Sequence, residues 1–71
     1  MAEQAGSLGE ALPLEMARVR DKVLAVYLTI PEGRFAAAMM RADLDRAAKA
    51  MVEGDVVEMM RVYQALKEWQ L

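Results

Sequence analysis

Apolar residues recur along this chain three and four positions apart, a spacing that predicts amphipathic α-helices. The period begins near Pro13, so a first helix is expected over residues 13–29. Proline suits the first turn of a helix but would interrupt one that began further upstream. Residues 1–11 lack the period and are predicted to form a flexible tail. The expected apolar face of the first helix consists of Met16, Val19, Val23, Val26, Tyr27 and Ile30.

The second helix is expected over residues 34–53, after a turn in which Pro31 and Gly33 break the period together. Phe35 and Met39 form an apolar patch on one side of this helix. That patch is separate from the main stripe, which is expected to face the core. The main stripe consists of Met40, Leu44, Ala47 and Met51.

Gly54 and Asp55 mark the boundary between the second and third helices. Glycine suits the left-handed position that closes a helix, and Asp55 can cap the helix that follows. Glu58 lies three residues after Asp55, which is the spacing of a capping box. The third helix is therefore expected over residues 55–69. Because both connections are short, residues 12–71 are predicted to form one all-α domain, either a small three-helix bundle or a helical-hairpin homodimer.

The composition limits how stable such a domain can be on its own. A folded unit of about 60 residues buries only a marginal core. Of the apolar residues in this 71-residue chain, 13 are alanine, which adds little to a core. The chain contains neither Cys nor His, so disulfides and an ordinary zinc site are not expected. Self-association, as a homodimer, remains as the expected source of additional stability.

Charge and hydropathy predict a cytoplasmic protein. The net charge of −2 gives no general attraction to nucleic acid or to an anionic membrane. The apolar run over residues 23–30 is much shorter than the roughly 20 residues that a spanning helix needs. The first ten residues lack the basic and apolar regions of a secretion signal.

Catalytic chemistry is not expected from this set of side chains. Without His or Cys, the candidates are carboxylates, Lys, Tyr, Ser7 and Thr29. Ser7 falls in the predicted tail, and Thr29 lies beside a turn without an obvious base. Asp43 and Asp45 are two positions apart on a helix, so they point to different sides and cannot share a metal or a proton. We expect no enzyme activity and no cofactor.

Arg20 and Asp43 stand out because each falls within an apolar sector of its predicted helix. Either both lie at helix edges, with Arg20 extending to water, or they pair across the helices and fix their register. Glu15, Arg18 and Lys22 lie on the opposite, polar face of the first helix, at ion-pair spacing.

The sequence indicates more apolar surface than one small core can cover. Neighbouring positions on a helix diverge, so the doublets at residues 39–40 and 59–60 should each direct one Met to the core and one elsewhere. Trp69 either folds back onto its own core or anchors in the pocket of a partner. The expected interaction surface consists of the apolar anchors Phe35, Met39, Val62, Leu66 and Trp69, with a polar rim of Arg41, Arg61 and Lys67.

Three segments of residues 12–69 carry a resemblance to known proteins. The segments LPLEMARVRDKVL, ADLDRAAKA and EGDVVEMMRVYQALK resemble small helical accessory proteins encoded by phages and prophages of proteobacteria. The resemblance implies a three-helix protein that acts by binding and blocking, or redirecting, a host protein. It includes no diagnostic chemical motif, so it implies a role for no individual residue.

The expected function is that of a non-catalytic, homodimeric interaction module that binds and modulates or inhibits a second protein. Two alternatives stay open. Ala50, Gly54 and Val57 have the spacing of a helix-turn-helix, which would make the chain a small DNA-binding regulator. The reading helix would then bring Asp55 and Glu58 to the phosphates, so nucleic acid is not the favoured partner. A structural or chaperone subunit of a larger assembly, such as a virion, would show the same features.

Overall fold

The computed structural model describes residues 7–71, which form three helices and no strand, with consecutive helices antiparallel. Helix α1 covers residues 7–27, helix α2 covers Arg34–Glu53 and helix α3 covers Val56–Lys67. The predicted all-α fold, a small bundle, is confirmed, and the second helix has the predicted limits. Helix α1 has three parts: Ser7–Arg18 is α-helical, Val19–Leu24 is π-helical and Ala25–Tyr27 is α-helical.

The start of the first helix differs from its prediction. The helix was expected to begin at Pro13, but the described residues before it, from Ser7 onward, are already helical, so that start is wrong. Residues 1–6 of the expected tail lie outside the described residues. Residues 7–11, also assigned to the tail, are helical, and Leu8 packs against the core. The helical domain therefore includes residues that the sequence pattern left out.

Pro13 lies inside α1 and does not end it. Proline has no N–H, so the carbonyl of Gly9, four residues earlier, loses its helical partner. Gly9 and Pro13 are both exposed, so water can reach that carbonyl. Leu8 and Leu12 lie on the other side of the same turns and pack in the core. Burial of a leucine contributes about 1.5–3 kcal/mol, which offsets a proline cost of about 3 kcal/mol.

The π-helical turn displaces the apolar face of α1 from its predicted position. Its hydrogen bonds join residues five apart rather than four, which widens the turn by an extra residue. Val23 and its neighbour Leu24 are therefore both buried. Val26 and Ile30 were expected on the core face, but they are 40% and 38% exposed, so that prediction is wrong. The extra residue rotates Val26 outward, and Ile30 has already left the helix.

The connection between α1 and α2 is tight because Gly33 has no side chain. Pro31–Gly33 forms a single 3₁₀ turn, and the N–H of Gly33 donates to the carbonyl of Ile30 at 2.8 Å. Gly33 is buried, and a β-carbon there would collide with the backbone carbonyl of Tyr27. Its φ of −85° is open to any residue, so the requirement is for space. The start of α2 thus lies directly against the end of α1.

The connection between α2 and α3 follows its prediction in most respects. Gly54 has the expected left-handed conformation, with φ of 68°. Asp55 caps α3, since its carboxylate accepts the backbone N–H of Glu58 at 3.1 Å. The reciprocal half of the capping box is absent among the described hydrogen bonds, because the Glu58 carboxylate binds Arg46 instead. Helix α3 ends at Lys67, two residues before its predicted end.

The core lies where all three helices meet. Several inward positions of α2 are alanine, where α2 contacts α3, and Met40 is a large, fully buried side chain of the same helix. Met40 and Met59 face the core, whereas Met39 and Met60 are exposed, so the expected division of each doublet is confirmed. The buried side chains are Leu12, Val19, Val23, Leu24, Ala37, Met40, Ala47, Ala50, Val62 and Leu66.

Candidate interaction surface

Two of the expected interface residues belong to the core. Val62 and Leu66 are both 0% exposed, so their assignment to an interaction surface is wrong. Apolar residues occupy most of the circumference of α3, and the sequence pattern alone did not determine which side faces inward. In the structure the inward side is centred on Val62 and Leu66, whereas Val56 is 57% exposed.

Trp69 packs against its own chain. It follows the end of α3, is partly buried against the core, and its indole Nε1–H donates to Asp43 Oδ2 at 2.9 Å. Of the two expected roles for Trp69, the structure shows self-packing. The carboxylate of Asp43 therefore has two partners, Trp69 and Arg46. Arg46 Nη1 lies 3.5 Å from Asp43 Oδ1.

The proposed pair between Arg20 and Asp43 is not formed. Arg20 is exposed and bonds its neighbour Asp21, with 2.9 Å between Arg20 Nε and Asp21 Oδ1. This hydrogen bond raises the pKa of Arg20 and lowers that of Asp21. The alternative in which Arg20 lies at a helix edge and extends to water fits the structure. The wide π turn, which includes Arg20, is the physical reason that the simple helical projection misplaced it.

Arg18 connects α1 to the end of α3, a role that the sequence did not reveal. Its Nη2 donates to the carbonyl oxygens of Leu66 at 3.1 Å and Trp69 at 2.9 Å. The carboxylate of Glu15 lies 2.7 Å from the same nitrogen and raises the pKa of Arg18, chiefly through the hydrogen bond. The guanidinium thus binds two carbonyls at the end of α3, of which that of Leu66 also accepts the backbone N–H of Trp69 at 3.1 Å. The Glu15–Arg18 spacing was visible in the sequence, but backbone acceptors leave no signal there.

A second basic side chain fixes the beginning of α3. Arg46 Nε lies 2.9 Å from Glu58 Oε2, and this hydrogen bond is the main cause of the raised pKa of Arg46. Because Arg46 also contacts Asp43, a chain of polar contacts runs from the first turn of α3 along α2 to Trp69. Together with Arg18, these contacts set where α3 lies along its neighbours.

Helix α3 is too short to cover the whole length of α2. The two helices have 12 and 20 residues, or about 18 Å and 30 Å of axis. The contacts of Arg18 and Asp43 show that α3 and its extension stop beside the middle of α1 and α2. Beyond that level, residues 19–41 form only a two-helix hairpin, which we call the hairpin end. One position beside this hairpin, in line with α3, is left without a helix.

Phe35 and Met39 are exposed on α2 at the level of this unfilled position. Met39 precedes Asp43 by one helical turn and Phe35 precedes Met39 by another, and each step rotates the side chain by about 40° around the axis of α2. Since the indole of Trp69 binds Asp43, its ring lies at the edge of the same surface. Phe35 is 78% exposed and Met39 is 47% exposed. We call the surface formed by Phe35, Met39 and the edge of Trp69 the notch.

The expected polar rim is only partly assembled. Arg41, Arg61 and Lys67 are all exposed, as expected. Arg41 is two positions after Met39 on α2, so it points to a different side of that helix, and Arg61 lies on α3. Lys67 is oriented toward Tyr63, with 5.5 Å between its ammonium nitrogen and the ring centroid. The structure thus leaves Phe35 and Met39 exposed on α2 without the predicted rim of Arg41, Arg61 and Lys67 around them.

Within residues 7–71, no group of three or more carboxylates is arranged to hold a metal ion. No helix of that region is long and apolar enough to cross a membrane. A depression lined mainly by charged residues lies between the end of α2 and the start of α3. It contains the Arg46–Glu58 pair already assigned to the fold.

Comparisons with protein-family models, with curated proteins and with solved structures gave no significant match. The resemblance to phage accessory proteins therefore stays a prediction.

Proposed function

We propose that this protein is a non-catalytic interaction module whose notch binds an apolar segment of another protein. The observation that supports this proposal most directly is the exposure of Phe35 and Met39 beside an unfilled helix position. Their burial by a partner would remove large apolar side chains from water, each worth about 1.5–3 kcal/mol. Aromatic side chains in such positions commonly supply much of the affinity of an interface.

The shape of the site also supports a protein partner. A helix or extended segment laid along the notch would contact α2 and the edge of Trp69 at once, which excludes water better than a single exposed side chain does. Met39 is flexible and can adapt to partners of different shape. In the finer form of this proposal, the bound protein is a host protein that is modulated or inhibited, as the resemblance to phage proteins implies.

The test compares protein capture by the wild type with capture by matched variants. The Phe35→Ser, Met39→Ser double variant removes the apolar side chains of the notch. Val52→Ser is the control, because Val52 is 88% exposed near the other end of α2. Circular dichroism would first verify that all three proteins are helical.

Quantitative mass spectrometry of captured proteins then gives the result. A protein held by the wild type and the Val52 variant, and reduced at least tenfold by the double variant, supports the proposal. Equal capture by all three proteins contradicts it. Light scattering over a dilution series identifies a special case, because a dimer that only the double variant dissociates would mean that a second copy occupies the notch.

A further inference from the structure

Trp69 lies beyond the end of α3, and side chains of the two other helices hold it in place. Helix α3 ends at Lys67, so Trp69 is not part of that helix. The indole Nε1–H donates to Asp43 of α2, and the carbonyl of Trp69 accepts Arg18 of α1, each at 2.9 Å. We call the position between these two side chains the seat of Trp69.

The two polar side chains of the seat are each held by a neighbour on their own helix. Arg18 binds Glu15, three residues earlier on α1, through Nε at 3.1 Å and Nη2 at 2.7 Å. Arg46, three residues after Asp43 on α2, lies 3.5 Å from its Oδ1. Because neither ion pair includes Trp69, one donor and one acceptor stay oriented toward the seat when the indole is absent. A site whose groups are oriented in advance binds its ligand at a lower entropic cost.

Residues 68–71, which we call the strap, are attached to the bundle locally. Leu71 is 77% exposed, and the exposed side chain of Gln70 donates to the end of α3. Opening of the strap breaks the two bonds of Trp69 to the seat and uncovers its partly buried indole. Leu66, one turn earlier, stays in the core. Such a local opening requires less free energy than unfolding of the whole domain.

The seat adjoins the exposed apolar side chains of the notch. Met39 lies one turn of α2 before Asp43, and Phe35 lies one turn before Met39. A segment laid along both side chains therefore reaches the seat of Trp69. The strap is the segment that the structure places there, so it shows which chemistry the seat accepts.

From these contacts we propose that the strap is autoinhibitory, and that a tryptophan of the bound partner replaces Trp69 in the seat. The partner's indole N–H then donates to Asp43, and a carbonyl of the partner accepts Arg18. Its neighbouring apolar side chains cover Phe35 and Met39. The inference rests on the proposed function and specifies the residue that anchors the partner.

Competition with the strap makes binding selective. A group on the same chain competes at an effective concentration of about a millimolar. A lone tryptophan offers the seat only what Trp69 already offers, so it does not displace the strap. A segment that also covers Phe35 and Met39 gains contacts that Trp69 does not make. Removal of the Trp69 side chain should therefore strengthen partner binding, whereas loss of an ordinary interface anchor weakens it.

The first test measures the seat with a short peptide. The Trp69→Ala variant of the full chain has an empty seat and contains no other tryptophan. The probe is the acetylated peptide LKEWQL, the sequence of residues 66–71, and the control peptide has Phe in place of Trp. Chemical shifts of the isotopically labelled protein report binding. Leu71→Ala is the matched control variant, because it alters the strap but leaves Trp69 in the seat.

We expect the Trp69→Ala variant to bind the Trp peptide about tenfold more tightly than the wild type or the Leu71→Ala variant, because the competitor is removed. Adding Asp43→Ala to the Trp69→Ala variant should weaken binding of the Trp peptide about fivefold, through loss of the hydrogen bond. The same addition should leave binding of the Phe peptide unchanged, because that ring has no N–H to donate.

A measurement on the wild type keeps the inference testable if circular dichroism shows that the Trp69→Ala variant is unfolded. Hydrogen exchange of the Trp69 indole N–H is compared with that of the Leu66 backbone N–H. We expect the indole N–H to exchange about tenfold faster or more, because the strap opens while α3 stays folded. Equal protection of the two groups would mean that Trp69 leaves its seat only when the bundle unfolds, and it would overturn the inference.

Two further results would overturn the inference. The first is a Trp69→Ala variant that binds the Trp peptide no better than the wild type does, or no better than it binds the Phe peptide. The second is a wild-type dimer in light scattering that the Trp69→Ala change dissociates, because the strap of a second copy would then fill the seat.

Protein capture separates this inference from the proposed function. Capture that the Phe35→Ser, Met39→Ser variant reduces and the Trp69→Ala variant increases supports both. Capture that both variants reduce refutes the autoinhibitory strap alone, because Trp69 then contributes to binding. Capture that neither variant alters refutes the proposed function, and the inference fails with it.

Discussion

The contact between Arg18 and the end of α3 leads to a quantitative prediction for the Arg18→Met variant. Methionine retains the apolar stem of the side chain, so the change removes mainly the hydrogen bonds to Leu66, Trp69 and Glu15. A hydrogen bond to a charged group contributes about 1.5–3 kcal/mol when it is shielded from water. The Arg18 side chain is 33% exposed, so solvent screening reduces that contribution. We expect a total loss of about 1–2 kcal/mol in the free energy of unfolding.

The assay is thermal and urea unfolding followed by circular dichroism. For a domain of this size, 1 kcal/mol corresponds to about 4–8 °C in Tm, so the expected decrease is well above experimental error. The variant should also shift Trp69 emission to longer wavelength, because the carbonyl of Trp69 loses its partner and the indole gains exposure. Both observables report on the same part of the molecule, at the level where α3 ends.

The matched control is Arg20→Met. Arg20 is also an arginine of α1, but it is exposed and bonds only its neighbour Asp21 among the described residues. We expect no measurable change in its Tm or Trp69 emission. Equal effects of the two substitutions would refute the reasoning, because the loss would then arise from a general effect of charge or helix propensity.

Three further predictions concern single contacts of the fold, each measured by unfolding. Gly33→Ala should lower the free energy of unfolding by about 1–3 kcal/mol, because the new β-carbon collides with the backbone. Gly9→Ala is the control, because nothing lies near its new β-carbon, and it should leave the stability unchanged or raise it. A larger loss in the Gly9 variant than in the Gly33 variant would contradict this. Asp55→Ala should cost about 1 kcal/mol through loss of the helix cap, and unchanged stability would mean that water replaces it fully. Trp69→Phe keeps an aromatic ring but leaves Asp43 without its indole donor. We expect the free energy of unfolding to fall by about 1 kcal/mol. An unaltered Tm would exclude a role for this hydrogen bond in stability.

The parts of the fold that the sequence predicted correctly are those with local causes. Helix α2 has the expected limits because Gly33 and Gly54 interrupt the chain at each end. The cap at Asp55 follows from its own side chain. The start of α1 was missed because a proline is unfavourable in a helix on local grounds alone. Burial of leucines around Pro13 outweighs that preference, and this tertiary contribution has no local signal.

The candidate surface was predictable to a similar extent. Phe35 and Met39 were recognised because the main stripe of α2 does not include them, and both are exposed. The side of α3 that carries Val62 and Leu66 was misjudged because apolar residues surround most of that helix. What orients α3 is a set of contacts from other helices, through Arg18 and Arg46, and the acceptors of Arg18 are backbone carbonyls. Residue types alone give no indication of such acceptors.

The notch follows from the difference in length between α2 and α3, which a helical projection does not show. The turn residues mark both ends of α2 and the start of α3, and α3 is about eight residues shorter than α2. In a bundle of antiparallel helices, such a difference leaves part of the longest helices without a third neighbour. Extending α3 beyond Lys67 by about two turns, with Trp69 retained, should therefore cover Phe35 and Met39. If the notch is the binding site, that extension abolishes partner capture while it leaves the helical bundle intact. Capture that survives the extension would place the binding site elsewhere on the molecule.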